Sequence, residues 1–278
     1  MKKLINIAVL DMNAGEPNEG MRCIRNLVEN FLAGDDVDGM YKVFDVRVDN
    51  ELPRIDDFDI FIGSGGPGSP KSTGKSWETK YELFLDELRD HNSVREDKKH
   101  VFLICHSFQL ACQHWKLAKI TKRRSMAFGV MPVHKTAQGK EELLFKDLDD
   151  PFYAVDSREY QVVEVRQKKM NDFGAKVLCR EKERPKVPLE RAVMAIRFTD
   201  EIVGVQFHPE ADADGMHMHF QKEEKQKLII KHKGEAKFEE MLLHLRDEDK
   251  ILKTHGILIP QFLRNATDAI VQSKYVSA

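Results

Sequence analysis

The sequence predicts an α/β fold: a mostly parallel central sheet flanked by helices, with a C-terminal helical extension. Three observations carry this prediction. Up to about residue 115, short β-branched apolar runs alternate with segments of helical spacing, the pattern of crossover units in a parallel sheet. From Met126 onward, strand-like runs follow one another closely, which adds an antiparallel or mixed section. After Asp214 the chain turns charge-rich, with apolar residues at helical intervals. These shifts divide the chain into a main domain over 1–214 and a helical extension over 215–278 packed on it.

The elements follow in order. Leu4 to Leu10 is a buried central strand, 11–18 a loop, and Met21 to Leu32 a helix with Ile24, Leu27, Val28 and Phe31 on one side. Tyr41 to Val48 and Phe58 to Gly63 are the next strands, the second ending in a glycine-rich loop. Trp77 to Arg89 is a helix, His100 to Ile104 a fourth strand, and Ser107 to Trp115 a helix that starts almost at once. Gln161 to Val165, Lys176 to Leu178, Ala192 to Phe198 and Ile202 to Phe207 are short strands. Lys222 to Leu252 is one or two amphipathic helices, with Leu228, Ile229, Phe238, Leu242 and Leu245 as the apolar stripe, and Phe262 to Val271 is a last helix. The stripe reads either as a cap on the main domain or as a surface for a partner or a second copy in a homodimer.

Composition narrows the function classes. The 278 residues are 41% hydrophobic, ordinary for a globular chain, and the net charge of -2 gives no electrostatic case for nucleic acid or a membrane surface. The four cysteines (Cys23, Cys105, Cys112, Cys179) show no CxxC pairing and no zinc spacing. The apolar run at the start is too short for a signal core or a membrane span. A reducing, cytoplasmic setting is expected, where an unpaired cysteine remains a working thiol.

Three segments carry chemistry. In Val101-Phe102-Leu103-Ile104-Cys105-His106-Ser107-Phe108-Gln109, an apolar strand runs into a cysteine and then a helix, the context of a nucleophile elbow. A sulfur at a helix N-terminus is favoured as thiolate, and the following N–H is placed to bind an oxyanion. Taken alone, the segment serves equally for a buried core cysteine. The second segment is Gly63-Ser64-Gly65-Gly66-Pro67-Gly68-Ser69-Pro70, with four glycines in six positions. Its backbone can approach a ligand closely or form an ordinary tight turn, and it does not match a Walker loop. The third is Gly204-Val205-Gln206-Phe207-His208-Pro209-Glu210: a strand delivers a histidine, and a glutamate two residues on can fix its tautomer.

Together these residues resemble the class I, triad-type glutamine amidotransferases, which carry a Gly-Gly-Pro-Gly loop, an elbow of the form G-[IV]-C-x-G-x-Q and a late His-Pro-Glu. The resemblance covers roughly residues 5 to 212 and is closest to the amidotransferase domain of GMP synthase and its stand-alone relatives. It implies a flavodoxin-like fold and hydrolysis of L-glutamine through a thioester, with no metal or organic cofactor. Cys105 would attack, His208 would be the acid/base and Glu210 its orienter. Gly66 and His106 would supply the oxyanion hole. Gly65, Gly68 and Gln109 would hold the substrate, with Ser157 and Arg158 where the family has a Ser-His segment; a solvated surface loop is the other reading of Ser157 to Tyr160. No S-G-G-x-D-S loop marks a synthetase half, so the ammonia would pass to a separate synthetase, or the enzyme would act alone on a γ-glutamyl compound.

The elbow departs from the family at Leu103 and Ser107, where glycines are usual, and either change could reduce or redirect activity. Cys105-His106 also resembles the DJ-1/PfpI family, in which Glu16 or Glu19 would contact the thiol. A third reading is a regulatory module whose elbow has drifted. His217 and His219 form an H-x-H without supporting carboxylate or cysteine spacing and read as a polar loop, so no metal is expected. Cys112 reads as packed, and Trp77 and Trp115 as core or helix-packing residues.

Overall fold

The computed structural model describes residues 2–184, 188–221 and 223–276; Lys222 and the side chains of His219 and Leu228 lie outside what is described. The chain runs β1 (Lys3–Leu4), β2 (Ile7–Asp11), α1 (Glu19–Leu32), β3 (Val37–Asp38), β4 (Tyr41–Asp45), β5 (Ile60–Gly63), α2 (Ser76–Val94), β6 (His100–Ile104) and α3 (His106–His114). It continues through β7 (Lys119–Lys135), α4 (Ala137–Glu141), β8 (Phe152–Val163), α5 (Gln167–Phe173), β9 (Lys176–Glu181), β10 (Val193–Arg197) and β11 (Ile202–Val205). The tail holds α6 (Ala213–Gln221), α7 (Glu223–Lys233), α8 (Glu235–Leu245) and α9 (Lys253–Val276).

A nine-stranded sheet, ordered β4-β2-β5-β6-β11-β10-β8-β7-β9, organises the fold. From β4 to β11 every pairing is parallel, and from β11 to β9 every pairing is antiparallel. The first strand is shorter than its apolar run. Asn6 interrupts it, its N–H donating to the Asp59 carboxylate at 2.9 Å, and Lys3–Leu4 pairs instead with Val37–Asp38. The strand from Tyr41 stops at Asp45 because that carboxylate takes the N–H groups of Arg47 and Val48 at 3.0 and 2.8 Å and turns the chain.

Ser157 to Tyr160 is not a surface loop. It lies inside the long strand β8, where Ser157 and Arg158 pair with Phe128 and Ala127 of β7. Local spacing shows only the end of this strand, because its partner lies some thirty residues away and pairing, rather than alternation, defines it. The His217–His219 segment is likewise helical, in α6, and not a loop.

Apolar side chains lie on both sheet faces. Ile24, Leu27 and Val28 of α1 share one cluster with Leu258, Ile259, Phe262, Leu263, Ala266 and Ile270 of α9, and the Phe102 and Phe262 rings sit 5.0 Å apart. The last helix therefore covers the main sheet directly. On the other face, α2 and α3 bury Trp77, Tyr81, Phe84, Phe108, Cys112 and Trp115. A third cluster joins Val130 and Val155 of the β7–β8 pair to Phe220, Ile229, Phe238, Met241 and Leu245 of α6, α7 and α8. Of the apolar stripe expected in the tail, Ile229, Phe238 and Leu245 are buried in this cluster and Leu242 packs against it. Among the described residues, no helix is long and apolar enough to cross a membrane.

Candidate active site

Cys105 sits between β6 and α3 with φ 49° and ψ -95°, a conformation strained for any residue but glycine. Its N–H donates to the Val205 carbonyl at 2.8 Å, which locks the turn to β11. The usual glycine two positions earlier is Leu103, and its room comes from both neighbours: in register it lies between Gly63 of β5 and Gly204 of β11. A Cβ on Gly63 would come within 3.1 Å of the Leu103 side chain, and one on Gly204 within 3.3 Å. The second departure is also accommodated. Ser107 Oγ accepts from the Ile104 N–H at 2.9 Å and lies 2.8 Å from the Gly63 carbonyl, to which it donates, clasping the elbow to the start of the glycine loop.

The histidine arrives from β11. Its N–H donates to the Val155 carbonyl at 2.8 Å, so β8 fixes its backbone. Its Nδ1 lies 2.8 Å from Glu210 Oε1, and that glutamate is 2% exposed. Burial disfavours charge on His208, but the Glu210 carboxylate, and next the Cys105 sulfur, outweigh it and hold the imidazole well above its ordinary pKa. The Glu210 backbone is braced by the tail, where His255 Nδ1 donates to its carbonyl at 3.0 Å. The first turn of α1 also closes on the carboxylate: a Cβ on Gly20 would come within 3.0 Å of Oε1.

The glycine loop is pressed against the same centre. A Cβ on Gly66 would meet the Met12 carbonyl at 2.2 Å, and one on Gly65 would meet His208 Cε1 at 2.8 Å, so neither position admits a side chain. His106 is the first residue of α3, so its N–H has no partner within the helix. The residue is 1% exposed, and burial, helped by the Arg47 charge, lowers its pKa to about 4, so the ring is neutral.

One cavity of about 820 Å³ brings together every residue expected from the sequence: Gly65, Gly66, Gly68, Cys105, His106, Gln109, Ser157, Arg158, His208 and Glu210. Ser157 faces the thiol, its carbonyl 3.9 Å from Cys105 Sγ. The Arg158 guanidinium is 1% exposed and lies 3.1 Å from Asp156 and 3.6 Å from Glu181. Gln109 Nε2 donates to the Tyr160 carbonyl at 3.2 Å and to Gln206 Oε1 at 2.9 Å. Glu19, raised in the DJ-1/PfpI reading, is held by Arg22 at 2.7 Å.

Sequence reasoning missed several contributors. Gln206 and His255 touch the site, and Asp212 and Met216 line the cavity. Gln206 stood within the quoted His-Pro-Glu segment, whereas nothing in the tail signals that His255 reaches Glu210. Cys112, Trp77 and Trp115 are buried, as expected. Among the described residues, no group of His, Cys, Asp or Glu is arranged to hold a metal ion.

Comparison with known proteins bears on the family and the fold. The family model for glutamine amidotransferase class-I matches residues 37–227. No curated protein matches the sequence. Among solved structures, a glutamine amidotransferase from Thermotoga maritima superposes with a TM-score of 0.64 at 15% identity, covering 95% of this chain and 98% of that one. A protein from Thermoplasma acidophilum, described as one chain of a GMP synthase, gives 0.55 at 15% identity, covering 98% and 97%. The glutaminase domain of Trypanosoma brucei CTPS, with bound acivicin, gives 0.55 at 15% identity, covering 74% and 86%. At such identities the likeness is one of fold.

Proposed function

We propose that this chain, which belongs to the class I glutamine amidotransferase family, hydrolyses L-glutamine to glutamate and ammonia through a thioester on Cys105. The observation that carries the reading is the meeting, in one cavity, of a cysteine at a strained strand-to-helix turn with a histidine whose Nδ1 is fixed by a buried glutamate. The raised basicity of His208 suits it to take the thiol proton. The sulfur attacks the side-chain carbonyl carbon, and the carbonyl oxygen becomes an oxyanion held by the N–H groups of Gly66 and His106. Collapse breaks the C–N bond, and His208 returns its proton to the departing ammonia. Water, deprotonated by His208, then attacks the thioester and releases glutamate and the free thiol. Gly65, Gly68, Ser157 and Arg158 would line the substrate's path. The ammonia would pass to a separate synthetase.

Incubation with diazo-oxo-norleucine followed by peptide mass spectrometry tests the reading. The expected result is a single adduct on Cys105, with glutaminase turnover abolished in Cys105→Ala. Unchanged turnover in that variant would sink the mechanism.

A further inference from the structure

We propose that Gln206 is a catalytic residue of this site, its side-chain amide donating to the Cys105 sulfur and stabilising the thiolate, with Gln109 as the positioning residue that sets the direction of that amide. The proposal rests on Cys105 being the nucleophile, as argued above. Gln206 follows β11 and is fully buried, and its Nε2 lies 3.6 Å from Cys105 Sγ. Its backbone is fixed as well, the N–H donating to the Met194 carbonyl at 2.8 Å.

The two ends of an amide have nearly the same shape, so its orientation must be read from its partners. The Tyr160 carbonyl can only accept. Gln109 therefore presents its NH₂ there, at 3.2 Å. The same NH₂ has a second hydrogen, which reaches Gln206 at 2.9 Å, and the atom that receives it must be the oxygen. With Oε1 spent on Gln109, Gln206 can face the sulfur only with its N–H. Polarity thus runs one way, from a backbone carbonyl of β8 through two amides to the nucleophile. A donor aimed at sulfur favours the form that carries negative charge, and charge-assisted hydrogen bonds are about twice as strong as neutral ones. The amide also fixes the sulfur's position from beneath, leaving its open side to the substrate carbonyl.

The test is iodoacetamide alkylation of Cys105 across pH, read by peptide mass spectrometry on the folded full-length chain. In Gln206→Met the midpoint should rise by about one pH unit, a roughly tenfold slower labelling at neutral pH. Gln206→Glu keeps the shape and the bond to Gln109 but turns an acceptor to the sulfur, so its midpoint should rise further. Gln109→Leu frees the amide to rotate and should give a smaller rise. Unchanged midpoints in Gln206 variants that keep the wild-type thermal transition would overturn the proposal. If those variants do not fold, an unchanged midpoint in Gln109→Leu overturns it instead. Alkylation needs no glutamine, so a chain with this pH behaviour but no glutaminase turnover would refute the proposed function and leave the amide relay standing.

Discussion

The two halves of the sheet bury different things. The parallel half, from β4 to β11, has an apolar interior, and three groups packed into it are held neutral. Burial lowers the pKa of His100 to about 4, as it does for His106, and raises the Cys112 thiol well above its ordinary value. The antiparallel half buries charge instead. Arg123 of β7, Asp156 and Arg158 of β8, and Glu181 of β9 lie within one cluster, with Arg158 1% and Asp156 3% exposed. Burial pushes the Glu181 carboxyl up, but Arg158 and Arg123 outweigh it and hold the group below its usual range. Cys105 and the glycine loop come from the dry half, and the charged half supplies the Val155 and Ser157 carbonyls beside them. Cys105 thus sits where an apolar scaffold meets three strands tied together by ions. Rigidity on one side holds the strained turn, and ion pairing on the other keeps β8 in register along the cavity wall.

The largest effect expected from breaking this contrast is at Arg158. Replacing it with methionine leaves the Asp156 and Glu181 carboxylates under-compensated, and urea unfolding should show a loss of about 4 kcal/mol. If stability holds while the KM for glutamine rises, the place of Arg158 in the substrate's path outweighs its place in the ion cluster. In the dry half, Leu103→Ala opens a void between Gly63 and Gly204, costing about 3 kcal/mol in the same measurement. A stable and more active Leu103→Ala would mean that the leucine restrains the elbow rather than filling space. The smallest effect concerns pH. His100, half-buried and with a folded pKa of about 4, keeps its full contribution above the unfolded value of about 6.5 and loses it as pH falls toward 4. His208, whose pKa is raised, works in the opposite direction, so a difference measurement is needed. Between pH 7 and pH 5, His100→Asn should lose about 2 kcal/mol less stability than the parent chain. Equal losses would show that His100 is not held neutral.

The order of strands and helices in the first 115 residues was legible because each element there satisfies itself locally: a β-branched run for a buried strand, Asn18 accepting from Gly20 N–H to begin α1. Cys105, Gly66, His208 and Glu210 stood out as candidates because chain geometry at strand ends demands particular residue types at close spacing. The resemblance to the family supplied the order in which to join them. Less legible was the section between Met126 and Val163, where β7 and β8 hold one another across a long separation and Arg158 turned out to be buried among ions rather than exposed on a loop.

The amino-acid sequence by itself determined the α/β class, the elbow cysteine, the glycine loop and the histidine–glutamate pair, since each is a local pattern dictated by backbone sterics and side-chain reach. Only the tertiary structure decided how the departures at Leu103 and Ser107 are tolerated, because the space and the hydrogen-bond partners come from Gly63, Gly204 and Ile104 on β5, β11 and β6. It also decided that Gln206 faces the sulfur and that His255 braces Glu210. Those contacts join residues 101 and 45 positions apart, respectively, and no local periodicity records which distant side chains the sheet order will bring together.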